Sequence, residues 1–185
     1  DRNAVEKEET FELSAAARDR FLFEINISRP LEDESRRKLI FDPAFHDVDA
    51  LLSSIGAPIL NYRDLNELDR DIQNSVYVSP EIENYVVRLW DASWEPHKLG
   101  ITLTDVYVED LVVAGASVRG MSAMVRAAKV CAWLEGRDHV LPDDIHFVLL
   151  PSLTHRVFLS PVYDGRREQL MPQFIQALRD HIATP

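Results

Sequence analysis

Between Ser117 and Gly136 the sequence spells out one complete helix, and this segment constrains the fold more than any other. Ser117 stands where an N-cap hydroxyl belongs. Met121, Met124, Val125, Ala128, Cys131 and Ala132 then recur at helical spacing, and Gly136 closes the segment at a C′ position. A helix with one apolar stripe is held chiefly by whatever buries that stripe, so the rest of the chain must supply packing partners.

Candidates lie on both sides. Leu65, Leu68, Ile72 and Val76 form one helical stripe. Ser79-Pro80, a capping hydroxyl followed by a proline at the first helical position, opens another, with Ile82, Val86, Leu89 and Trp90 inward. Pro142-Asp143-Asp144 starts a further helix, with proline and two acids in its first turn. The last helix is expected to start from about Gly165 or from Pro172 and to run to Ile182; proline breaks a helix interior, which favours a start near Pro172 with Arg166 to Met171 as a preceding turn. Residues 94–113 read as a small hairpin or an irregular insertion.

The front of the chain has a different period. Phe21, Phe23, Ile25 and Ile27 alternate with Leu22, Glu24 and Asn26, which predicts a strand over 21–27 with one buried face. A short helix is expected over 33–41, acidic at its start and basic towards its end, then a turn-rich linker over 42–63 with one small helix, Val48 to Ile55. The fold class is therefore mixed α/β, mainly α, with one strand ahead of four or five helices.

Charge narrows the function. Lys and Arg total 20 against 31 Asp and Glu, a net charge of −11, which disfavours a general nucleic-acid binder. No apolar run approaches the roughly 18 residues a membrane helix needs. The acidic N-terminus is not a secretory signal, and a chain opening at Asp1 is expected to be part of something longer. A single cysteine, Cys131, excludes an internal disulfide and a multi-cysteine zinc site, and suits a reducing cytoplasm. The six histidines form no HExxH motif and no i, i+4 pair, so no metal site is expected.

Two arginine settings remain. Arg119 falls in the first turn of the long helix, where the dipole disfavours a cation by roughly 0.3 to 1 kcal/mol. A bound anion such as phosphate would reverse that sign; a solvated arginine would tolerate the cost. Arg18-Asp19-Arg20 precedes the expected strand, where an arginine could reach a neighbouring subunit's phosphate or simply belong to an exposed charge cluster.

In order along the chain, these segments resemble the MoxR family of AAA+ ATPases. Asp1-Arg2-Asn3-Ala4-Val5-Glu6 and Leu13-Ser14-Ala15-Ala16-Ala17-Arg18-Asp19-Arg20-Phe21 resemble two family stretches, the second ending there in Leu-Asp-Arg-Phe. Gly115-Ala116-Ser117-Val118-Arg119 resembles the family's Gly-Ala-Ser-Pro-Arg, and Gly136 to Ile145 resembles its Gly-Arg-Asp-Tyr-Val-Leu-Pro-Glu-Asp-Val. The likeness runs the whole length, and the spacing of the last two motifs makes it specific. Arg2 and Ala4 depart from the family's Gln and Pro, Arg18 from its Leu, and residues 94–113 are longer than its usual link.

The resemblance implies a remnant of a AAA+ α/β ATPase subdomain over residues 1–60, followed by an all-α lid over 61–185. It places Asn3 at sensor 1, orienting the attacking water. Arg20 takes the place of the arginine finger that reaches into the next subunit, with Arg18 as the other candidate. Arg119 takes the place of sensor 2, contacting the nucleotide from the lid. It further implies ATP and Mg as cofactors and a homo-oligomeric ring, six subunits being the expected number. A partner with a von Willebrand factor A domain is implied too, with client proteins that are matured, activated or loaded with metal. No Gly-x-x-x-x-Gly-Lys-Ser/Thr loop occurs in the chain, which by itself is expected to be inactive. The other reading is a non-enzymatic acidic helical adaptor, which a start codon immediately upstream of Asp1 would favour.

Overall fold

The structure, a computed structural model, describes residues 13–26 and 32–185. Its elements run α1 (Ala15–Arg18), α2 (Asp33–Phe41), α3 (Val48–Ser54), α4 (Leu65–Ser75), α5 (Pro80–Trp94), β1 (Val112–Ala114), α6 (Val118–Leu134), α7 (Pro142–Leu153), β2 (Phe158–Leu159) and α8 (Arg167–His181). The mainly helical class read from the sequence is the class observed. The chain divides into two units, one of residues 71–185 with the segment up to Glu24, the other of residues 25–70.

The first unit owes its core to helical stripes. Tyr85 and Leu89 of α5, Met124 and Ala128 of α6, Ile145 and Leu149 of α7 and Phe174 and Leu178 of α8 are all essentially sealed from solvent. At roughly 1.5 to 3 kcal/mol for each large apolar side chain, this burial is the main term holding the unit together. The helix ends match their chemistry: Ser79 Oγ accepts from the Ile82 N–H and Ser117 Oγ from the Gly120 N–H. Gly136 has φ +72°, the left-handed C′ conformation in which a side chain is strained.

Two expectations need correction. Residues 21–26 are not a strand. Phe21, Leu22 and Ile25 are exposed, and the backbone is irregular, with the Glu24 N–H donating to the Pro151 carbonyl at 2.8 Å. Alternation specifies a face but supplies no partner, and among the described residues no strand runs alongside. Ile27 lies outside the described residues. The only sheet among them joins β1 to β2, antiparallel, pairing Val112 with Leu159 and Ala114 with Phe158.

The last helix does not wait for Pro172 but begins at Arg167, with the proline inside it. Leu170, Met171, Phe174 and Ile175 are all buried on either side of Pro172, which itself faces solvent. Four buried side chains outweigh the ~3 kcal/mol of an interior proline. Residues 94–113 are irregular: two short 3₁₀ turns and a single bridge between Leu103 and Val106, turning on Asp105 at φ +57°.

The second unit is built locally. Asp33 and Glu34 open α2 and Lys38 lies in its last turn, while Asp47 caps α3 by accepting from the Ala50 N–H at 3.0 Å. None of its described residues is buried.

Candidate functional site

The segment before α6 is fixed from beneath. Trp90 and Trp94, one turn apart on α5, both donate their indole N–H to the Ala116 carbonyl, at 2.8 and 2.9 Å. Buried Ser93 accepts from the Ala116 N–H at 3.2 Å. A Cβ on Gly115 would lie 2.6 Å from the Trp94 ring, so only glycine fits between helix and loop. The start of α6 is thereby held by α5, and Arg119 with it.

Asp19 joins this helix start to the Arg18–Arg20 segment. Its carboxylate accepts from the Ser117 hydroxyl at 2.8 Å and from Arg156 Nε at 3.1 Å, and it lies 3.5 Å from Arg119 Nη1. Ser117 thus caps the helix and holds the loop at once. The cation at the helix start, disfavoured by the dipole, has a carboxylate beside it while its own side chain remains 63% exposed.

Arg156 is the centre of the cluster and is 2% exposed. A guanidinium carries five N–H donors. Here they serve five contacts: the Asp19 carboxylate, the Asp19 carbonyl at 3.1 Å, the Phe21 carbonyl, the Leu22 carbonyl at 3.0 Å and the Ser152 carbonyl at 2.6 Å. Burial works against its charge and lowers its pKa, with the Asp19 contact opposing that shift. Next to it, His155 donates from Nε2 to the Phe21 carbonyl at 2.9 Å, and burial holds its pKa below the ordinary histidine value.

The two candidate fingers have different surroundings. Arg18 is half-buried, its guanidinium stacked 5.4 Å from the centre of the Phe158 ring. Arg20 is exposed, and no hydrogen bond or ion pair among the described residues holds its side chain. Asn3 lies outside the described residues. His155, Arg156 and Trp94 are not singled out by the sequence, and Asp19 and Trp90 figure there only in a charge cluster and on a buried helix face. The available signal was a charged His155-Arg156 pair set between Leu153 and Val157.

The second motif, 136–145, closes on itself. Arg137 grips Asp144 with two hydrogen bonds of 2.7 and 2.6 Å, and Asp144 also accepts from the Leu141 N–H at 2.8 Å. Burial works against the Asp144 charge, but these donors outweigh it and its pKa is lowered. Among the described residues, no group of three or more His, Cys, Asp or Glu could hold a metal, and no helix is long and apolar enough to cross a membrane.

Residues 106–174 match the family described as the AAA lid domain. The helical part that carries Arg119 and Arg156 is therefore the lid of an AAA+ protein. The chain is 48% identical over all 185 residues to Protein MoxR of Methylorubrum extorquens and to Protein MoxR of Paracoccus denitrificans, covering 54% and 55% of them. It is 32% identical to Chaperone MoxR1 of Mycobacterium tuberculosis over 94% of this chain and 42% of that protein. A crystal structure from Cytophaga hutchinsonii, whose name proposes an ATPase, superposes with a TM-score of 0.71 at 26% identity, covering 95% of this chain and 51% of that one. The chain belongs to the MoxR family of AAA+ ATPases. It spans about half the length of the two MoxR proteins it matches.

Proposed function

We propose that this chain supplies the arginine-bearing half of a MoxR-type ATPase site, in a full-length protein that couples ATP hydrolysis to chaperone-like work. Arg20 serves as the finger acting on the next subunit of a ring, and Arg119 as the lid residue that meets the nucleotide in its own subunit. Asn3 has the sensor 1 role. The nucleotide, bound with Mg²⁺, supplies the phosphoanhydride to be cleaved. The residues of this chain offer cationic charge to its phosphates and keep that charge in register with the lid. On this reading residues 1–60 complete the α/β core and 61–185 form the lid.

One observation carries the reading. The Arg20 segment and the start of α6 are tied together through Asp19, yet both proposed phosphate-binding arginines remain largely exposed. The stacking of Arg18 on Phe158 supports Arg20 as the finger. A ring with a von Willebrand factor A partner, and clients that are matured or receive metal in the cytoplasm, complete the proposal.

The test is Arg20→Ala in the full-length protein, with turnover and nucleotide affinity measured separately. An arginine finger contributes about 10³-fold or more to turnover, so the rate should fall by that order while the Kd for nucleotide stays within a few-fold. Near-normal turnover would refute the assignment.

A further inference from the structure

Every donor of Arg156 is directed at the backbone or carboxylate of its surroundings, and three of the five contacts are carbonyls of the residues flanking Arg20. It reaches the Asp19 carbonyl on one side and the Phe21 and Leu22 carbonyls on the other, and its Nε grips the Asp19 carboxylate. Arg20 itself is left uncovered at the apex of this clamp. The clamp comes from just after α7, more than 130 residues along the chain, and His155 adds a further bond to the Phe21 carbonyl. α6 is shaped to admit it: a Cβ on Gly120 would fall 2.4 Å from Arg156 Cδ and 2.8 Å from its Nε.

A buried guanidinium is costly, and a loop needing only to be covered could be covered by apolar side chains. A five-donor fork fixes backbone direction as well, and direction is what a side chain acting across a subunit boundary requires. We propose that Arg156 is a positioning residue for Arg20: it holds the backbone on both sides of the finger and so couples lid geometry to the neighbouring subunit's site. This rests on the assignment of Arg20 as the finger.

The experiment compares full-length wild type, Arg20→Ala, Arg156→Lys and the double variant, measuring kcat and KM for ATP with a thermal melt for each. Lysine keeps the charge beside Asp19 but has no fork to reach the three carbonyls. Misplacing a reacting group by about 1 Å costs about 100-fold in rate, so Arg156→Lys should lower kcat by that order with KM within about threefold. Added to Arg20→Ala, it should lower the residual rate by no more than about twofold, since a positioning residue has nothing left to position. Gly120→Ala, which displaces Arg156 without altering its charge, should reproduce the kcat loss and decides the question if the lysine variant does not fold. Near wild-type kcat in a folded Arg156→Lys beside an inactive Arg20→Ala overturns the positioning role alone. So does a full further 100-fold loss in the double variant. Wild-type turnover in Arg20→Ala overturns the finger assignment and this proposal with it.

Discussion

Arg137–Asp144 and the Asp19–Arg156 cluster are both arginine–carboxylate arrangements, each containing one of the two later motifs or touching it, and they end differently. In the first, both partners are consumed. Arg137 and Asp144 satisfy each other, the carboxylate also takes the Leu141 N–H, and the result is a turn locked between α6 and α7. In the second, one buried arginine satisfies the carboxylate and the surrounding carbonyls, while Arg20 and Arg119 stay exposed at its edge. A motif can be strongly patterned for folding alone. What sets apart the other, the proposed site, is charge left outward after the folding contacts are complete.

That contrast can be broken by substitution. Arg20→Ala removes an exposed side chain, so besides its turnover loss it should change stability by less than about 0.5 kcal/mol in urea unfolding. Asp144→Ala should do the reverse. Losing the carboxylate that takes two hydrogen bonds from Arg137 and one from the Leu141 N–H should lower the urea midpoint well beyond any change in Arg20→Ala, with turnover per folded molecule of the full-length protein unchanged. Turnover lost without stability would place the 136–145 motif in the site and end the distinction.

Smaller effects sharpen it. Ser117→Ala removes both the cap and the Asp19 contact, and should cost about 1 kcal/mol, read as a lower urea midpoint. The smallest effect is a pH dependence. An unfolded aspartate titrates near about 3.9, and Asp144 is held below that when folded. Its stabilising contribution is therefore complete above about pH 4 and is lost as pH falls on through the folded value. The stability gap between wild type and Asp144→Asn should be constant from neutral pH down to that range and narrow below it. A gap that widened on acidification would contradict the pairing.

Much of the fold was legible because helix signals are local. Ser79-Pro80, Ser117 and Gly136 announce their own positions, and the structure has α5 and α6 where these residues put them. The failures were non-local. Alternation over 21–27 described a strand without saying what would pair with it, and the ladder is instead Val112–Ala114 with Phe158–Leu159. Pro172 was read by its local cost, whereas α8 is decided by Leu170 and Phe174 meeting the core. At the site, Arg119 stood out because its charge conflicts with its position. Arg156 did not, because a charged residue in sequence reads as surface, and only a fold that brings residues 19–22 against it shows four acceptors waiting besides the Ser152 carbonyl.

The central claim is that Arg20 and Arg119 serve one phosphate chain from two different subunits. Mixing full-length Arg20→Ala with full-length Arg119→Ala tests it directly. Neither protein alone has an interface with both arginines. In randomly mixed head-to-tail rings, about a quarter of interfaces would pair an intact Arg119 with a neighbour's intact Arg20. The account predicts that mixing two inactive proteins restores ATP turnover to about that fraction of wild type. A mixture that re-forms rings yet stays as inactive as either variant would contradict it.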